Sequence, residues 1–430
     1  MTTLLESLSR NISFSAISYF FIAVLGIVRS ALLTKSLGVE LFGILILILN
    51  FISVYYLLFS LKINDIAYKV LSDYDLKQEI HEYSVSFILF ALSLLQGLFL
   101  YLIAVFFYDF AWINIFQTEP YSDEVKLYLL AIPLMSLEGF YTVILRLKNM
   151  YLSILIPRIL GVLASVLIII YFAFIGDLNI TTAIIAFLTM LIIQTFLPLI
   201  IILHKAVKNN FNASYLREGF RSWSLIWSSA KSAIIGTSFG NYLKILFNPG
   251  DIILLGALTS PTQVGIYGFA KTLASPIQSI GSVLQTVYTP IVTSLLEKNN
   301  VTSIKDLLVK NILLFACSFF GYLLIFILVG SEIILYVSSK DFFASLGPFY
   351  LLIAASSLTF MTGNIIYPII LVRDKLFWLN FIYICSITII IFIFNIFYID
   401  ALLFASAQFI LAFLSFIFHC WVWKTLNKTT

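Results

Sequence analysis

Apolar stretches long enough to cross a lipid bilayer recur along the whole chain, separated by short polar segments. A spanning helix needs about 17–25 predominantly apolar residues. Twelve stretches reach that length, at 12–34, 41–61, 84–108, 125–145, 153–175, 180–203, 232–258, 263–295, 307–330, 346–372, 376–398 and 401–423. The eighth is too long for a simple span, so Pro276 and Pro290 are expected to bend or end it. The pattern therefore predicts an all-α, multi-pass membrane protein with about twelve transmembrane helices.

The stretch at 232–260, which contains the seventh predicted span, carries a regular series of polar side chains. Their three- and four-residue spacing places five residues on one face of a helix: Thr237, Asn241, Lys244, Asn248 and Asp251. A charge within the hydrocarbon costs at least about 2.5–3.5 kcal/mol, so this face is expected to contact water or protein. We interpret the stripe as the wall of a hydrated path. The alternative is a salt bridge or polar packing seam inside a helix bundle.

Other polar groups also lie within predicted spans. A second stripe in the eighth span comprises Lys271, Ser275, Gln278, Ser282 and Gln285. Glu138 follows Pro133 in the fourth span, where a carboxylate could exchange protons and couple ion movement to transport. The alternative for Glu138 is a salt bridge with a basic neighbour. Arg158 lies near the inner end of the fifth span, which favours a side chain that reaches back to the membrane surface.

Composition narrows the functional classes. Only 11% of the residues are charged, whereas globular domains are about 25% charged. The net charge of +4 is no evidence for a nucleic-acid partner, because the basic residues follow the predicted membrane topology. The three dispersed cysteines predict neither a disulfide framework nor a metal site. P-loop, zinc-protease and serine-hydrolase motifs are absent from the sequence, so we expect no cofactor and no enzymatic centre.

Basic residues are distributed unevenly between the two predicted sides of the membrane. With the N-terminus in the cytoplasm, 18 of the 25 Lys and Arg residues fall on the cytoplasmic side. Three fall outside, namely Lys35, Lys126 and Lys340. Because cytoplasmic loops are enriched in Lys and Arg, both termini are expected in the cytoplasm.

The two halves of the chain carry a weak internal repeat. GIVRSALLTKSLGVELFGI, from Gly26, matches NPGDIILLGALTSPTQVGI, from Asn248, at an offset of 222 residues. Six predicted helices separate the copies, so both halves have the same orientation and are related by an axis along the membrane normal. This predicts two six-helix lobes, 1–203 and 232–430. The cytoplasmic linker at 204–231 is interpreted as either an amphipathic interfacial helix or a plain connection.

The first two predicted spans, ISYFFIAVLGIVRSALLTKSLGVELFGILILILNFISVYYLL, resemble those of bacterial polysaccharide flippases. The shared pattern is a helix that ends in Arg, followed by Leu-Gly, an acidic residue and Phe-Gly. The second copy, with VGIYGFAKTLASPIQSI, resembles the seventh and eighth helices of the same family. The chain is thus similar, over essentially its whole length, to the Wzx-type O-antigen and capsule flippases of the multidrug/oligosaccharidyl-lipid/polysaccharide exporter superfamily.

The resemblance implies two six-helix lobes that form a V around a central cavity. It also implies a cargo, an oligosaccharide repeat unit on polyprenyl pyrophosphate, that crosses the bacterial cytoplasmic (inner) membrane. Rocking of one lobe against the other would expose the cavity to each side in turn, which is alternating access. Because the sequence has no nucleotide-binding motif, either an ion gradient or removal of the cargo outside is expected to drive transport. The expected partners are this lipid-linked cargo, membrane lipid, and the glycan polymerase and chain-length machinery.

Site residues follow from the stripes and from the resemblance together. The family lines its cavity with charged, mainly cationic side chains, which implies roles for Arg29, Lys244 and Lys271. With the stripe amides added, the expected substrate and cavity residues are Arg29, Asn241, Lys244, Asn248, Lys271 and Gln278. Asp251, which matches Arg29 at the repeat offset, and Glu138 are expected to be ion-coupling or counter-charge residues.

Two other functional classes are compatible with a chain of this kind. A cation-coupled multidrug antiporter of the same fold would need acidic residues to dominate its cavity, whereas basic residues outnumber them here. A polytopic glycan polymerase or ligase would favour a large outer loop, and the sequence predicts none.

Overall fold

The computed structural model of the protein is built almost entirely from helices. It describes residues 2–60, 82–116, 121–148, 150, 152–208, 249–297, 301–372 and 399–426, and the isolated positions 227, 245, 381, 384 and 388. Within these residues, eight helices are long and apolar enough to cross a membrane. The prediction of an all-α, multi-pass membrane protein is confirmed.

Eleven α-helices and one 3-10 helix have their bounds within the described chain. The helices of the first half are α1 (Thr2–Phe59), α2 (Glu82–Phe116), α3 (Ser122–Leu129), α4 (Ala131–Leu147), α5 (Leu152–Ile175) and α6 (Ile180–Lys208). The second half contains α7 (Gly250–Leu258), α8 (Pro261–Glu297), α9 (Val301–Val337), the 3-10 helix Lys340–Ser345, α10 (Leu346–Val372) and α11 (Ala401–Leu426).

Helix boundaries differ from the predicted spans in several places. The first two predicted spans both lie within α1, where two helices meet at a kink at Gly38, whose backbone is non-helical, with φ 75° and ψ 179°. Glycine tolerates this positive φ because it has no Cβ. Pro276 and Pro290 do not end the eighth span, since α8 continues through both positions to Glu297. The predicted span 376–398 lies almost entirely outside the described residues.

The turn between α5 and α6 shows how local sequence fixes the helix ends. Gly176 has φ 76°, and the next N–H, from Asp177, donates to the Phe172 carbonyl at 3.0 Å. These are features of a Schellman C-cap. Asn179 then caps α6, because its Oδ1 accepts the Thr182 N–H at 2.9 Å while Thr182 Oγ1 accepts the Asn179 N–H at 2.9 Å. Both helices therefore end where their orphan backbone groups find partners.

Contacts divide the chain into two compact units. The first unit comprises Met1–Ile46 and Leu254–Thr430, and the second comprises Leu47–Ile253. The predicted lobes at 1–203 and 232–430 stay a prediction, because most of the linker that would separate them lies outside the described residues.

Each unit has its own apolar core. In the second unit, buried side chains from α2, α4, α5 and α6 pack together, including Leu89, Phe140 and Ile154. In the first unit, a cluster centred on Ile365, Ile366, Ile369 and Ile370 of α10 joins α8, α9 and α11. Packing against these cores fixes which face of each helix is left for polar side chains.

Candidate functional site: polar groups within the spans

The second predicted stripe lies on one face of a single helix, α8. Its members are all partly or fully accessible: Lys271, Ser275, Gln278, Ser282 and Gln285. The intervening side chains Leu273, Ala274 and Ile277 are buried. A helix with 3.6 residues per turn places the accessible and the buried positions on opposite faces in this way. Helix α8 therefore presents a continuous polar face that includes a lysine.

Gln278 is held in place from a neighbouring helix. Its Nε2 donates to Ser356 Oγ of α10 at 3.1 Å. The Ser356 hydroxyl in turn donates to the Leu352 carbonyl one helical turn earlier, at 2.8 Å. A glutamine fixed in this way keeps its side-chain carbonyl oriented and loses little further entropy when it binds a partner.

The structure locates only some of the residues of the first stripe. Thr237, Asn241, Lys244 and Asn248 lie outside the described residues. Asp251 is buried in the first turn of α7, where its Oδ1 accepts the Ile252 N–H at 2.9 Å. An acidic side chain at a helix N-terminus is favoured by the helix dipole. Asp251 therefore has at least a local structural role at the start of α7.

Arg29 lies within α1 and is half-buried. It belongs to the same compact unit as Lys271, whereas Asp251 and Glu138 belong to the other. Among the candidates that the structure describes, the cationic and the acidic side chains are thus held by different units.

Glu138 forms an ion pair inside the second unit. Its Oε1 lies 2.7 Å from Nη2 of Arg158, and the two side chains are 26% and 20% exposed. The carboxylate comes from α4 and the guanidinium from α5, so the pair joins two predicted spans. This is the salt bridge with a basic neighbour that was considered for Glu138, and a role in ion coupling stays a prediction. The expected snorkelling of Arg158 is replaced by this ion pair.

A hydrogen-bond network surrounds the Glu138–Arg158 pair. Gln194 of α6 donates from Nε2 to the Arg158 carbonyl at 3.3 Å. The Gln194 carbonyl would normally accept from residue 198, but Pro198 has no N–H. Tyr141 of α4 donates its hydroxyl to that carbonyl instead, at 2.6 Å. Within a membrane such a replacement is needed, because no water is available to satisfy a freed backbone carbonyl.

Close backbone packing brings Gln194 to this position. A Cβ added to Gly161 of α5 would lie 2.8 Å from Gln194 Cγ and 2.8 Å from the Met190 carbonyl oxygen. Only glycine therefore allows α5 and α6 to approach so closely. The pattern of the sequence did not predict the network of Tyr141, Arg158 and Gln194. The signal that could have suggested it was the presence of opposite charges on consecutive spans.

Metal binding has no support in the described part of the chain. No group of three or more His, Cys, Asp or Glu side chains there could hold a metal ion.

The sequence of residues 8–296 matches the family of polysaccharide biosynthesis proteins. The chain belongs to this family. The match covers more than half of the 430 residues and includes most of α1, nearly all of α8 and both partners of the Glu138–Arg158 pair. The predicted resemblance to polysaccharide flippases is thereby confirmed at the level of the family. Among curated proteins, none matches the sequence.

Solved membrane transporters share the fold of this chain. An inward-facing multidrug resistance transporter of the MATE family, from the MOP superfamily, has a TM-score of 0.72 at 12% identity, with 97% of this chain and 100% of that chain covered. The lipid II flippase MurJ in an inward closed conformation has a TM-score of 0.66 at 14% identity, covering 95% and 87%. A mutant of the MATE transporter VcmN from Vibrio cholerae has a TM-score of 0.64 at 12% identity, covering 99% and 98%.

These similarities confirm the predicted fold class over nearly the whole chain. The proteins named are transporters and a flippase, in keeping with the expectation that this family member moves a substrate across a membrane. At 12–14% identity they establish the fold and not the substrate.

Proposed function

We propose that the protein is a flippase that moves polyprenyl-pyrophosphate-linked oligosaccharide repeat units from the inner to the outer face of the bacterial cytoplasmic membrane. The observation that supports this most directly is membership in the polysaccharide biosynthesis family by a chain with a transporter fold. The fold is also that of a protein described as a lipid II flippase.

The polar face of α8 suits an anionic, sugar-bearing cargo. A diphosphate needs cationic partners once it leaves bulk water, and Lys271 can supply a charge-assisted hydrogen bond. Gln278, Ser275 and Ser282 offer donors and acceptors to sugar hydroxyls along the same face. Arg29, with Lys244, Asn241 and Asn248 of the seventh span, completes the proposed set of cavity side chains. The polyprenyl tail can remain in lipid throughout.

Movement is proposed to follow alternating access by the two predicted lobes, 1–203 and 232–430. Each lobe would move as a body about the linker at 204–231, as repeat-built transporters do. Both termini are proposed to lie in the cytoplasm, where the Lys and Arg asymmetry places them. The glycan polymerase and chain-length machinery are the proposed partners on the outer side.

Ion coupling is proposed to involve Glu138 and Asp251. An ion bound at the Glu138 carboxylate would compete with Arg158 for it and would so alter a contact between two spans. Asp251 is proposed as a local counter-charge or ion site near the start of α7.

A cation-coupled multidrug antiporter is the second candidate function. The TM-score of 0.72 with a MATE-family transporter favours it. The predominance of basic over acidic side chains among the candidate site residues argues for an anionic cargo instead.

The test is deletion of the gene followed by complementation with single variants. Deletion is expected to remove surface glycan and to leave complete lipid-linked units on the cytoplasmic face. Lys271→Ala, Lys244→Ala and Arg29→Ala are expected to insert normally but restore little or no surface glycan. Lys305→Ala is the matched control, because Lys305 is exposed on α9 and outside the proposed site.

Other outcomes would contradict the proposal in distinct ways. Normal surface glycan with all three site variants would exclude the cavity assignment. Changed drug susceptibility with intact glycan would favour the antiporter. Lipid-linked units that reach the outer face but stay unpolymerised would point to a polymerase.

A further inference from the structure

Helix α8 is fixed in place by side chains of α9 and α10. Tyr322 of α9 donates its hydroxyl to the Leu273 carbonyl of α8 at 2.6 Å. On the α10 side, a Cβ added to Gly281 of α8 would overlap the ring of Phe360. That ring stacks in turn on Phe315 of α9, with ring centroids 5.9 Å apart. All three helices belong to the same compact unit. Packing therefore sets the position of α8 relative to α10 independently of any ligand.

This packing places Ser356 of α10 against Gln278 on the polar face of α8. Gln278 donates from Nε2 to Ser356 Oγ at 3.1 Å, and the Ser356 hydroxyl donates to the Leu352 carbonyl at 2.8 Å. A serine hydroxyl has one proton to donate, so the Ser356 oxygen can only accept from Gln278. The amide of Gln278 therefore presents its N–H group to Ser356 and directs its carbonyl oxygen, Oε1, away from Ser356.

The Oε1 atom of Gln278 is left as an acceptor on the accessible side of the helix. No described residue donates to it, and it is not one of the buried side-chain oxygens that lack a partner. Turning the amide over would require the Ser356 hydroxyl to give up the Leu352 carbonyl. The acceptor orientation is therefore preferred by the free energy of one hydrogen bond, which corresponds to a factor of about five.

Lys271 lies on the same face of α8, two helical turns before Gln278. With a rise of about 1.5 Å per residue, the two positions are about 10 Å apart along the helix axis. An ammonium group can only donate hydrogen bonds, whereas Oε1 of Gln278 can only accept them. A molecule that contacts both positions therefore needs an anionic group at one end and a hydrogen-bond donor some distance along. A diphosphate that carries sugars has this arrangement, because its first sugars bear hydroxyl or amide N–H groups.

We propose that Gln278 selects the cargo by accepting a hydrogen bond from a hydroxyl or amide N–H of the sugars next to the diphosphate, and that Ser356 is the positioning residue that keeps Gln278 an acceptor. The proposal rests on the proposed function, with Lys271 as the partner of the diphosphate. A sugar with a carboxylate at this position offers no donor there and places negative charge against the Gln278 carbonyl. A site built to hydrogen-bond one group rejects an analogue that lacks it. The sugars next to the diphosphate are therefore neutral.

Binding of three defined lipids to the purified full-length protein in detergent tests this assignment. The probes are polyprenyl diphosphate alone, the same lipid with a neutral disaccharide of N-acetylhexosamines, and the same lipid with a disaccharide of hexuronic acids. Thermal unfolding at increasing lipid concentration gives the dissociation constants. The wild-type protein is expected to bind the neutral glycolipid about fivefold more tightly than the acidic one, the effect of one hydrogen bond.

Variants of the two hydrogen-bonded residues show which side chains produce the preference. Gln278→Leu is expected to bind the neutral and acidic glycolipids equally. Ser356→Ala is expected to lower the preference several-fold, because the amide can then turn over. Ser357→Ala is the matched control, since Ser357 is buried beside Ser356 and its hydroxyl donates to the Ile353 carbonyl, at 2.8 Å. The control is expected to keep the wild-type preference. The readout is the ratio of two affinities, because a general loss of stability would weaken binding of all three lipids alike.

The outcomes separate this inference from the proposed function. If the wild-type protein binds the two glycolipids equally, or the acidic one more tightly, the inference is overturned and the proposed function stands. An unchanged preference in Gln278→Leu would also overturn it, as would equal losses in Ser356→Ala and Ser357→Ala. Failure of the wild-type protein to bind any of the three lipids would contradict the proposed function and this inference with it.

Discussion

At the scale of single residues, the most informative feature is the Glu138–Arg158 ion pair between two membrane spans. A buried pair is weak evidence for stability, because desolvation offsets much of the Coulomb attraction. Removing one partner alone destabilises the protein, because the other charge then stays in a poorly solvated position without a counter-charge. With side chains 26% and 20% exposed, the pair is neither sealed in the core nor fully hydrated.

A double-mutant cycle measures this coupling. Arg158→Gln or Glu138→Gln alone is expected to lower the free energy of unfolding by about 1.5–3 kcal/mol, the range for hydrogen bonds to charged groups. The partial exposure favours the lower end. The double variant is expected to lose less free energy of unfolding than the two single variants added together, because neither charge is then left without its partner. Thermal unfolding in detergent gives the four values, and additive effects would show that the two side chains are not coupled.

Tyr141 has a structural role that depends on a proline in another helix. Its hydroxyl satisfies the Gln194 carbonyl that Pro198 leaves without a donor. Taken singly, neither the tyrosine nor the proline indicates a hydrogen bond between helices, because both residue types are common in apolar spans. Only the approach of α4 to α6 gives the tyrosine a structural role, and that approach cannot be deduced from the spacing of either helix.

At the scale of elements, α8 follows its sequence pattern closely. The three- and four-residue spacing predicted one polar face, and the described side chains confirm a division between accessible and buried positions along the helix. Periodicity is reliable here because it is a property of a single helix. Pro276 and Pro290 were expected to bend or end the helix, and only the helix end was wrong, since α8 continues through both prolines.

Cysteine scanning tests whether the polar face of α8 lines a hydrated path. In a full-length variant whose three native cysteines are replaced by Ser, Ser275→Cys and Ser282→Cys are expected to react with a small water-soluble thiol reagent. Ala274→Cys and Ile277→Cys are expected to react at least tenfold more slowly, because both positions are buried against the rest of the first unit. Mass spectrometry of the labelled protein gives the rates, and equal rates on both faces would exclude a polar path along α8.

Helix α1 contains the first two predicted spans. Both were predicted from their apolar length, and a short turn was expected between them. The structure has two helices there that meet at a kink at Gly38, the residue with non-helical backbone. The direction of the second helix beyond Gly38 depends on what it packs against, which includes α8, and the spacing of its own residues does not predict that contact.

At the scale of the whole molecule, the positive-inside distribution makes a topology prediction. A reporter active only in the cytoplasm is expected to work when fused after Thr430. The same reporter inserted at the turn 177–179, between α5 and α6, is expected to be inactive there. An externally active reporter should give the opposite pattern. Activity of one reporter at both positions would mean that the number of spans between them has the wrong parity.

The family and fold were predictable from sequence to different degrees. The opening Arg, Leu-Gly and Phe-Gly pattern was specific enough to predict the family that residues 8–296 match. The cargo is harder to predict from the sequence than the family, because cargo binding depends on a few side chains whose neighbours are determined by helix packing. The first stripe illustrates this, since only Asp251 of its five members lies among the described residues.

The sequence by itself determined that this protein is an all-α membrane protein, which residues share a helix face, and where charges occur in apolar spans. These properties follow from hydropathy and the 3.6-residue period, both of which are local. The tertiary structure alone decided that Glu138 meets Arg158, that Tyr141 replaces the N–H missing at Pro198, and that Ser356 meets Gln278. Those pairs lie 20 to 78 residues apart in the chain. Their contact depends on how closely helices approach, which the packing of the helix backbones and the glycines between them sets.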